Sequence, residues 1–217
     1  MTKPALPRRG IYAITPDNLT LGALTAAVEI ALDQGLELLQ YRPKSGDAST
    51  HRAAARAFRR LCTKYGTLFI VNDDLELALA VAADGVHLGQ NDREFETLAA
   101  NPTRDFLIGI SCYNSLARAR AALDAGADYI AFGSFYPSRT KSSAPPCAID
   151  VLRDARAERQ APIIAIGGIS SENGAVLLAA GADYLAVANG IFGQRDVAAA
   201  TSRLRALVES TESTLDV

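Results

Sequence analysis

Charged and amide side chains gather where apolar runs stop. In LLQYRPKSG, Gln40, Arg42 and Lys44 fall at alternate positions, with Leu39 and Tyr41 among the apolar residues between and before them. In a strand, the two-residue period puts the amide and both cations on one face. Two cations facing an interior without anions would be costly, so an anionic ligand is the simplest account, with a structural ion pair from Arg42 to Asp73 as the alternative. In LFIVNDD the apolar run ends at Asn72, Asp73 and Asp74, and in GVHLGQND it ends at Gln90 and Asp92. Carboxylates brought together repel unless a cation shares them. Hard oxygens of this type suit Mg2+, which takes one or two protein carboxylates and completes its shell with water and phosphate oxygens. Asp73 and Asp74 equally fit an N-cap and first-turn acid opening a helix at DLELALAVA, and composition does not choose between these readings.

Two further stretches suit phosphate. GSFYPSRTKSSAPP places Ser138, Arg139, Thr140 and Lys141 in succession, two hydroxyls and two cations on a loop that either closes over phosphate and excludes water or is an ordinary solvated connection. In GGISSENG, Gly167 and Gly168 let backbone amides approach a ligand, and the Ser-Ser-Glu-Asn that follows can start a helix whose N-terminus attracts anions. VANGIFG offers Ala188 and Asn189 as a partner segment. His87, in the middle of an apolar run, reads as a satisfied interior histidine rather than a catalytic one, and His51 as a solvated helix residue; neither reads as a metal ligand. Cys112 follows Ser111 with no base supplied nearby in the sequence.

The elements that must position these residues are short apolar or β-branched runs: GIYAIT, LELLQYR, LFIVND, GVHLGQ, FLIGIS, YIAFGS, PIIAIGG and YLAVANG. Between most of them lie Ala- and Leu-rich stretches of helical period, such as LGALTAAVEIALDQG and THRAAARAFRRLCTKYG. AADG, AGADYIAFG and AGADYLAVA repeat one design, a helix end followed almost at once by a strand, as in parallel sheets. Eight such units in 217 residues leave about 27 residues each, tight but workable for a single (β/α)8 barrel, typically ~250 residues. An open doubly wound sheet is the competitor, but AITPDNLTLG after the first run lacks the Gly-rich dinucleotide turn. The expectation is one α/β domain over residues 1–217, a TIM barrel of eight parallel strands, with the polar tail from about residue 210 frayed. In a barrel the chemistry lies at the C-terminal ends of the strands, which puts Asp73 and Asp92 on adjacent strands of one rim.

Composition narrows the partners. A net charge of −2 gives no broad basic surface for nucleic acid or anionic membrane. Cys62, Cys112 and Cys147 have neither disulfide-scaffold nor zinc spacing. Without an apolar signal region or an 18-residue apolar run, a cytoplasmic location is expected. Self-association into a homo-oligomer is left open.

Taken together, QYRPK, VNDD, GVHLGQND, GIS, GSFYPSRTK and AIGGI, in this order and spacing, resemble the thiamine phosphate synthase family from about Gly10 to Gly193. The resemblance implies a (β/α)8 barrel that joins hydroxymethylpyrimidine diphosphate to a thiazole phosphate and releases pyrophosphate. It implies that Gln40, Arg42, Lys44, Asn72 and Ser111 bind the pyrimidine diphosphate, with Lys141 reaching its phosphates, and that Arg42, Lys44, Lys141 and Ser111 carry the catalysis. Asp73 and Asp92 would hold Mg2+. Ser138, Arg139, Thr140, Gly168, Ala188 and Asn189 would form the thiazole phosphate site. Ser138 stands where the family commonly has Thr, which keeps the hydroxyl; Asn189 stands where it commonly has Ser, which changes the donor's reach. A thiazole tautomerase-like relative or a non-catalytic thiamine-phosphate-binding barrel would share the fold, but neither needs Asp73, Asp92, Arg42 and Lys44 together.

Overall fold

Each of the eight apolar runs forms a strand: β1 (Gly10–Ile14), β2 (Leu38–Tyr41), β3 (Leu68–Asn72), β4 (Gly85–Leu88), β5 (Leu107–Tyr113), β6 (Tyr129–Phe132), β7 (Ile163–Ile166) and β8 (Tyr184–Val187). In this computed structural model, residues 3–89, 104–137, 146–158 and 161–215 are described. Every neighbouring pair is parallel, and β1 pairs with β8, so the sheet closes into the expected barrel rather than an open doubly wound sheet. Among the described residues the helices are α1 (Leu21–Asp33), α2 (Ala48–Tyr65), α3 (Leu75–Ala80), α4 (Leu116–Asp124), α5 (Asp150–Glu158), α6 (Ala175–Ala179), α7 (Asn189–Phe192) and α8 (Val197–Leu215). Helix α8 runs to Leu215.

Strand alternation divides the core in two. Ile11 and Ala13 of β1 face outward and pack with helix residues such as Val28, Leu32 and Phe58, whereas Tyr12 and Ile14 point into the barrel with Leu38, Ile70, Leu107, Tyr129, Ile164 and Tyr184. The helices begin where short polar side chains cap them: Thr20, Asp47, Asp74 and Ser115 each accept a hydrogen bond from the backbone three residues on. Asp74 is the N-cap of α3, while Asp73 precedes it at the strand end with φ 57°.

At the opposite, N-terminal end of the barrel, four acids repeat one contact. Glu37, Asp84, Asp128 and Asp183 each stand immediately before an even-numbered strand and accept from a backbone N–H of the preceding odd strand: Ile11 at 2.7 Å, and Phe69, Ile108 and Ile163 at 2.8 Å. Arg59, Arg104 and Arg156 pair with the three aspartates. The repeated Asp of AADG and AGAD is therefore a fastening between strands, and its chemistry is structural. Arg104 and Asp128 are the most enclosed pair, with side chains 8% and 11% exposed. Removing one member strands the other charge in a poorly solvated site. Asp128→Ala should lower the unfolding free energy by about 3 kcal/mol, read as a drop in urea midpoint.

Candidate active site

The C-terminal rim surrounds a cavity of about 350 Å3. Gln40, Arg42 and Lys44 all line it, while Tyr41 between them packs outward on the Phe58 ring at 5.3 Å between centroids. Thr15, at the end of β1, extends the pairing of these two strands: its N–H donates to the Gln40 carbonyl at 2.9 Å and its hydroxyl accepts from the Arg42 N–H at 3.0 Å. The ion pair formed on this segment is not Arg42 with Asp73 but Lys44 with Asp17, at 2.9 Å. The Lys44 hydrogen bond holds the Asp17 carboxyl below the usual range.

Five inward side chains make the floor. Gln40 Nε2 donates to Tyr12 Oη at 2.9 Å, Tyr12 Oη lies 3.0 Å from Tyr129 Oη, Tyr129 Oη lies 3.2 Å from His87 Nδ1, and His87 Nε2 lies 3.0 Å from Ser111 Oγ. His87 also stacks on the Tyr129 ring, 5.6 Å between centroids. Gly109 makes room for this arrangement, since a Cβ there would collide with the Tyr129 ring. As expected from its position in the run, His87 is an enclosed and hydrogen-bonded interior residue.

Across the cavity, Gly167 (φ 109°) and Gly168 (φ 62°) occupy left-handed backbone that side chains avoid. A Cβ on Gly168 would come within 2.5 Å of the Pro137 carbonyl, so the backbone after β7 lies tight against the start of the loop after β6. Tyr136 donates its N–H to Gly167 O at 3.1 Å and its hydroxyl to Asn173 O at 3.0 Å, pinning the two loops together. The helix expected to start at Ser-Ser-Glu-Asn begins later, at Ala175, and is only five residues long. The reason is local: Asn173 Oδ1 accepts from Ser170 N and its Nδ2 donates to Gly168 O, holding a turn instead. Ala188 and Asn189 line the same side, at the start of the single turn α7.

The cavity thus brings together Gln40, Arg42, Lys44, Asn72, Ser111, Gly168, Ala188 and Asn189. Gln90, Asp92, Ser138, Arg139, Thr140 and Lys141 lie outside the described residues. Asp73 sits exposed at the end of β3, its N–H donating to His87 O at 2.9 Å and its carboxylate accepting from Asn72 Nδ2 at 2.6 Å. Left-handed backbone is uncommon for a non-glycine residue, though Asp tolerates it best, and such positions gather at functional sites. Among the described residues no group of three His, Cys, Asp or Glu side chains could hold a metal. Mg2+ does not require one, and an exposed carboxylate with one bonded neighbour fits the one or two carboxylates it takes. The three cysteines are buried, and burial pushes the Cys62 and Cys112 thiols up to about 12 and Cys147 to about 11, so they are inert as nucleophiles at neutral pH.

Sequence reasoning passed over Tyr12, Tyr129 and Asp17. The first two were available from the two-residue period of GIYAIT and YIAFGS, which turns both tyrosines inward, and Asp17 from its place just beyond the end of β1.

The sequence profile described as thiamine monophosphate synthase matches residues 11–191. The thiamine-phosphate synthase of Thioalkalivibrio sulfidiphilus is 47% identical over 210 residues, covering 96% of this chain and 100% of that protein. That of Acidithiobacillus ferrooxidans is 48% identical over 202 residues, covering 91% and 93%. Among solved structures, the thiamine phosphate pyrophosphorylase of Pyrococcus furiosus superposes with a TM-score of 0.84 at 33% identity, covering 94% of this chain and 97% of its own. The barrel, the order of the rim segments and these likenesses along nearly the whole sequence lead to one conclusion: the chain belongs to the thiamine monophosphate synthase family.

Proposed function

We propose that this protein joins 4-amino-2-methyl-5-hydroxymethylpyrimidine diphosphate to 4-methyl-5-(2-phosphooxyethyl)thiazole, giving thiamine phosphate and pyrophosphate. The observation that carries this reading is one cavity with two unlike sides, each suited to an anion in a different way. Arg42 and Lys44 line one side, and close-approach backbone at Gly168, Ala188 and Asn189 lines the other. A diphosphate suits the cations, and a phosphate monoester suits the backbone.

In this reading the pyrimidine ring lies on the floor between Gln40 and Ser111, with its diphosphate toward Arg42, Lys44 and Asn72 and with Lys141 reaching it from the loop after β6. Asp73 and Asp92 would hold Mg2+, which when bound neutralises charge on the diphosphate. The bond from the methylene carbon to the diphosphate oxygen breaks, both electrons leave with pyrophosphate, and the thiazole nitrogen lone pair forms the new carbon–nitrogen bond. The electron-rich aminopyrimidine ring spreads the positive charge left on the methylene carbon. Arg42, Lys44 and Lys141 stabilise the charge growing on the leaving group, and Ser138, Arg139, Thr140 and the glycine backbone hold the thiazole phosphate in line. No protein nucleophile is required, in keeping with the high thiol pKa values.

Mixing both substrates with Mg2+ should release pyrophosphate in step with thiamine phosphate, and pyrophosphate release without the coupled product would refute the reaction. Arg42→Ala should lower turnover by about 100-fold or more, as expected for loss of a charge that acts on the leaving group, while unfolding in urea stays near the parent's. Equilibrium binding separates the two sides. Chelation should sharply weaken the pyrimidine diphosphate, whose charge would otherwise meet Asp73 and Asp92 unscreened, and should leave thiazole phosphate binding unchanged. Equal weakening of both ligands would break the two-sided assignment.

A further inference from the structure

The floor of the cavity is a hydrogen-bonded chain drawn from β1, β2, β4, β5 and β6, and its protons can be ordered by elimination. The Gln40 amide nitrogen only donates, so Tyr12 Oη is the acceptor in that contact and must send its own proton elsewhere. Tyr12 is 1% exposed, and a buried hydroxyl finds an acceptor; in this chain that is Tyr129 Oη, 3.0 Å away. The argument then moves one place along. Tyr129, having accepted, donates to His87 Nδ1 at 3.2 Å. A neutral imidazole whose Nδ1 accepts carries its proton on Nε2, and that proton points to Ser111 Oγ at 3.0 Å. The Ser111 hydroxyl proton is left for the cavity, and at the far end the Gln40 amide, with one N–H fixed on Tyr12, turns its carbonyl lone pairs to the cavity.

We propose that Tyr12, Tyr129 and His87 are positioning residues that fix the hydrogen-bond polarity of the substrate site, making Gln40 an acceptor and Ser111 a donor. This rests on the synthase reading for the identity of the ligand. A neutral aminopyrimidine matches the polarity, with amino N–H for Gln40 and a ring nitrogen lone pair for Ser111. The 4-oxo analogue in its N–H form sets a carbonyl against the buried Gln40 carbonyl and takes from Ser111 its acceptor, a mismatch of the kind by which a binding site discriminates. Burial raises the pKa of both phenols above the ordinary value, so both hydroxyls keep the protons the chain needs.

The proton order can be read directly in the ligand-free protein. The sequence has two histidines, so 15N-histidine labelling with His51→Gln leaves one imidazole in the spectrum. The expected result at neutral pH is a protonated Nε2 and a bare Nδ1; a bare Nε2, or protons on both nitrogens, would overturn the proposal. Tyr129→Phe should mix the two tautomers and raise KM for the pyrimidine diphosphate about tenfold, the effect of one buried hydrogen bond, with KM for thiazole phosphate unchanged. A rise in both KM values alike would mark the chain as merely structural and sink it. The spectrum requires no variant in the chain itself, so it decides the proton order even if Tyr129→Phe folds poorly. Failure to form thiamine phosphate would refute the synthase reading separately, since the tautomer is read without substrate.

Discussion

A closed parallel barrel has a difficulty at its N-terminal rim, where the first N–H donors of alternate strands lie beyond the reach of the ladder and close to the interior. Glu37, Asp84, Asp128 and Asp183 meet that demand by reaching across from the turn before the next strand. A backbone donor left unpaired in such a place costs about 1–3 kcal/mol, so four such contacts are comparable to a large share of a domain's net stability. They also fix where each even strand starts relative to its neighbour. The heights of Gln40, His87 and Tyr129 along the barrel follow from that stagger.

The floor of the cavity depends in turn on a missing side chain. Gly109 faces inward from β5 at the level of the Tyr129 ring, and its lack of a Cβ lets the ring lie across toward Tyr12 and His87. The result is a polar layer set on an apolar one, with Ile70, Leu107 and Ile164 among the side chains filling the interior around it. A rigid floor of this sort differs in kind from the walls. Gly167 and Gly168 shape one wall through backbone conformation alone, and Arg42 and Lys44 shape the other through long side chains on a short extended segment.

Much of this is legible in the sequence because period-two alternation acts locally. The alternation of Gln40, Arg42 and Lys44 places three side chains in one cavity, and the eight apolar runs foretell eight strands. Failures occur where side chains act over longer distances. One exception is local: Asn173 bonds back three and five positions, to Ser170 and Gly168, and delays the helix. Lys44 finds Asp17, which is 27 positions earlier, and the Tyr12–Tyr129 contact spans 117 positions. The acids of AADG and AGAD read as loop residues until the barrel closes and brings an N–H of the preceding strand within reach.

The Lys44–Asp17 pair gives the cationic side the character of an ion exchanger. Both side chains are about one-third exposed, at 38% and 33%, so solvent screens the pair and it is worth at most about 1 kcal/mol. That is enough to hold the ammonium in place before a ligand arrives and too little to resist a multiply charged one. An incoming anion must nevertheless displace a resident carboxylate, so its binding is measured against Asp17 rather than against water. Chloride and other weakly competing ions gain little from such an exchange, while a diphosphate gains a great deal. In the proposed reaction the side that would receive the diphosphate has one of its two cations already compensated, so selection by valence would follow from that exchange.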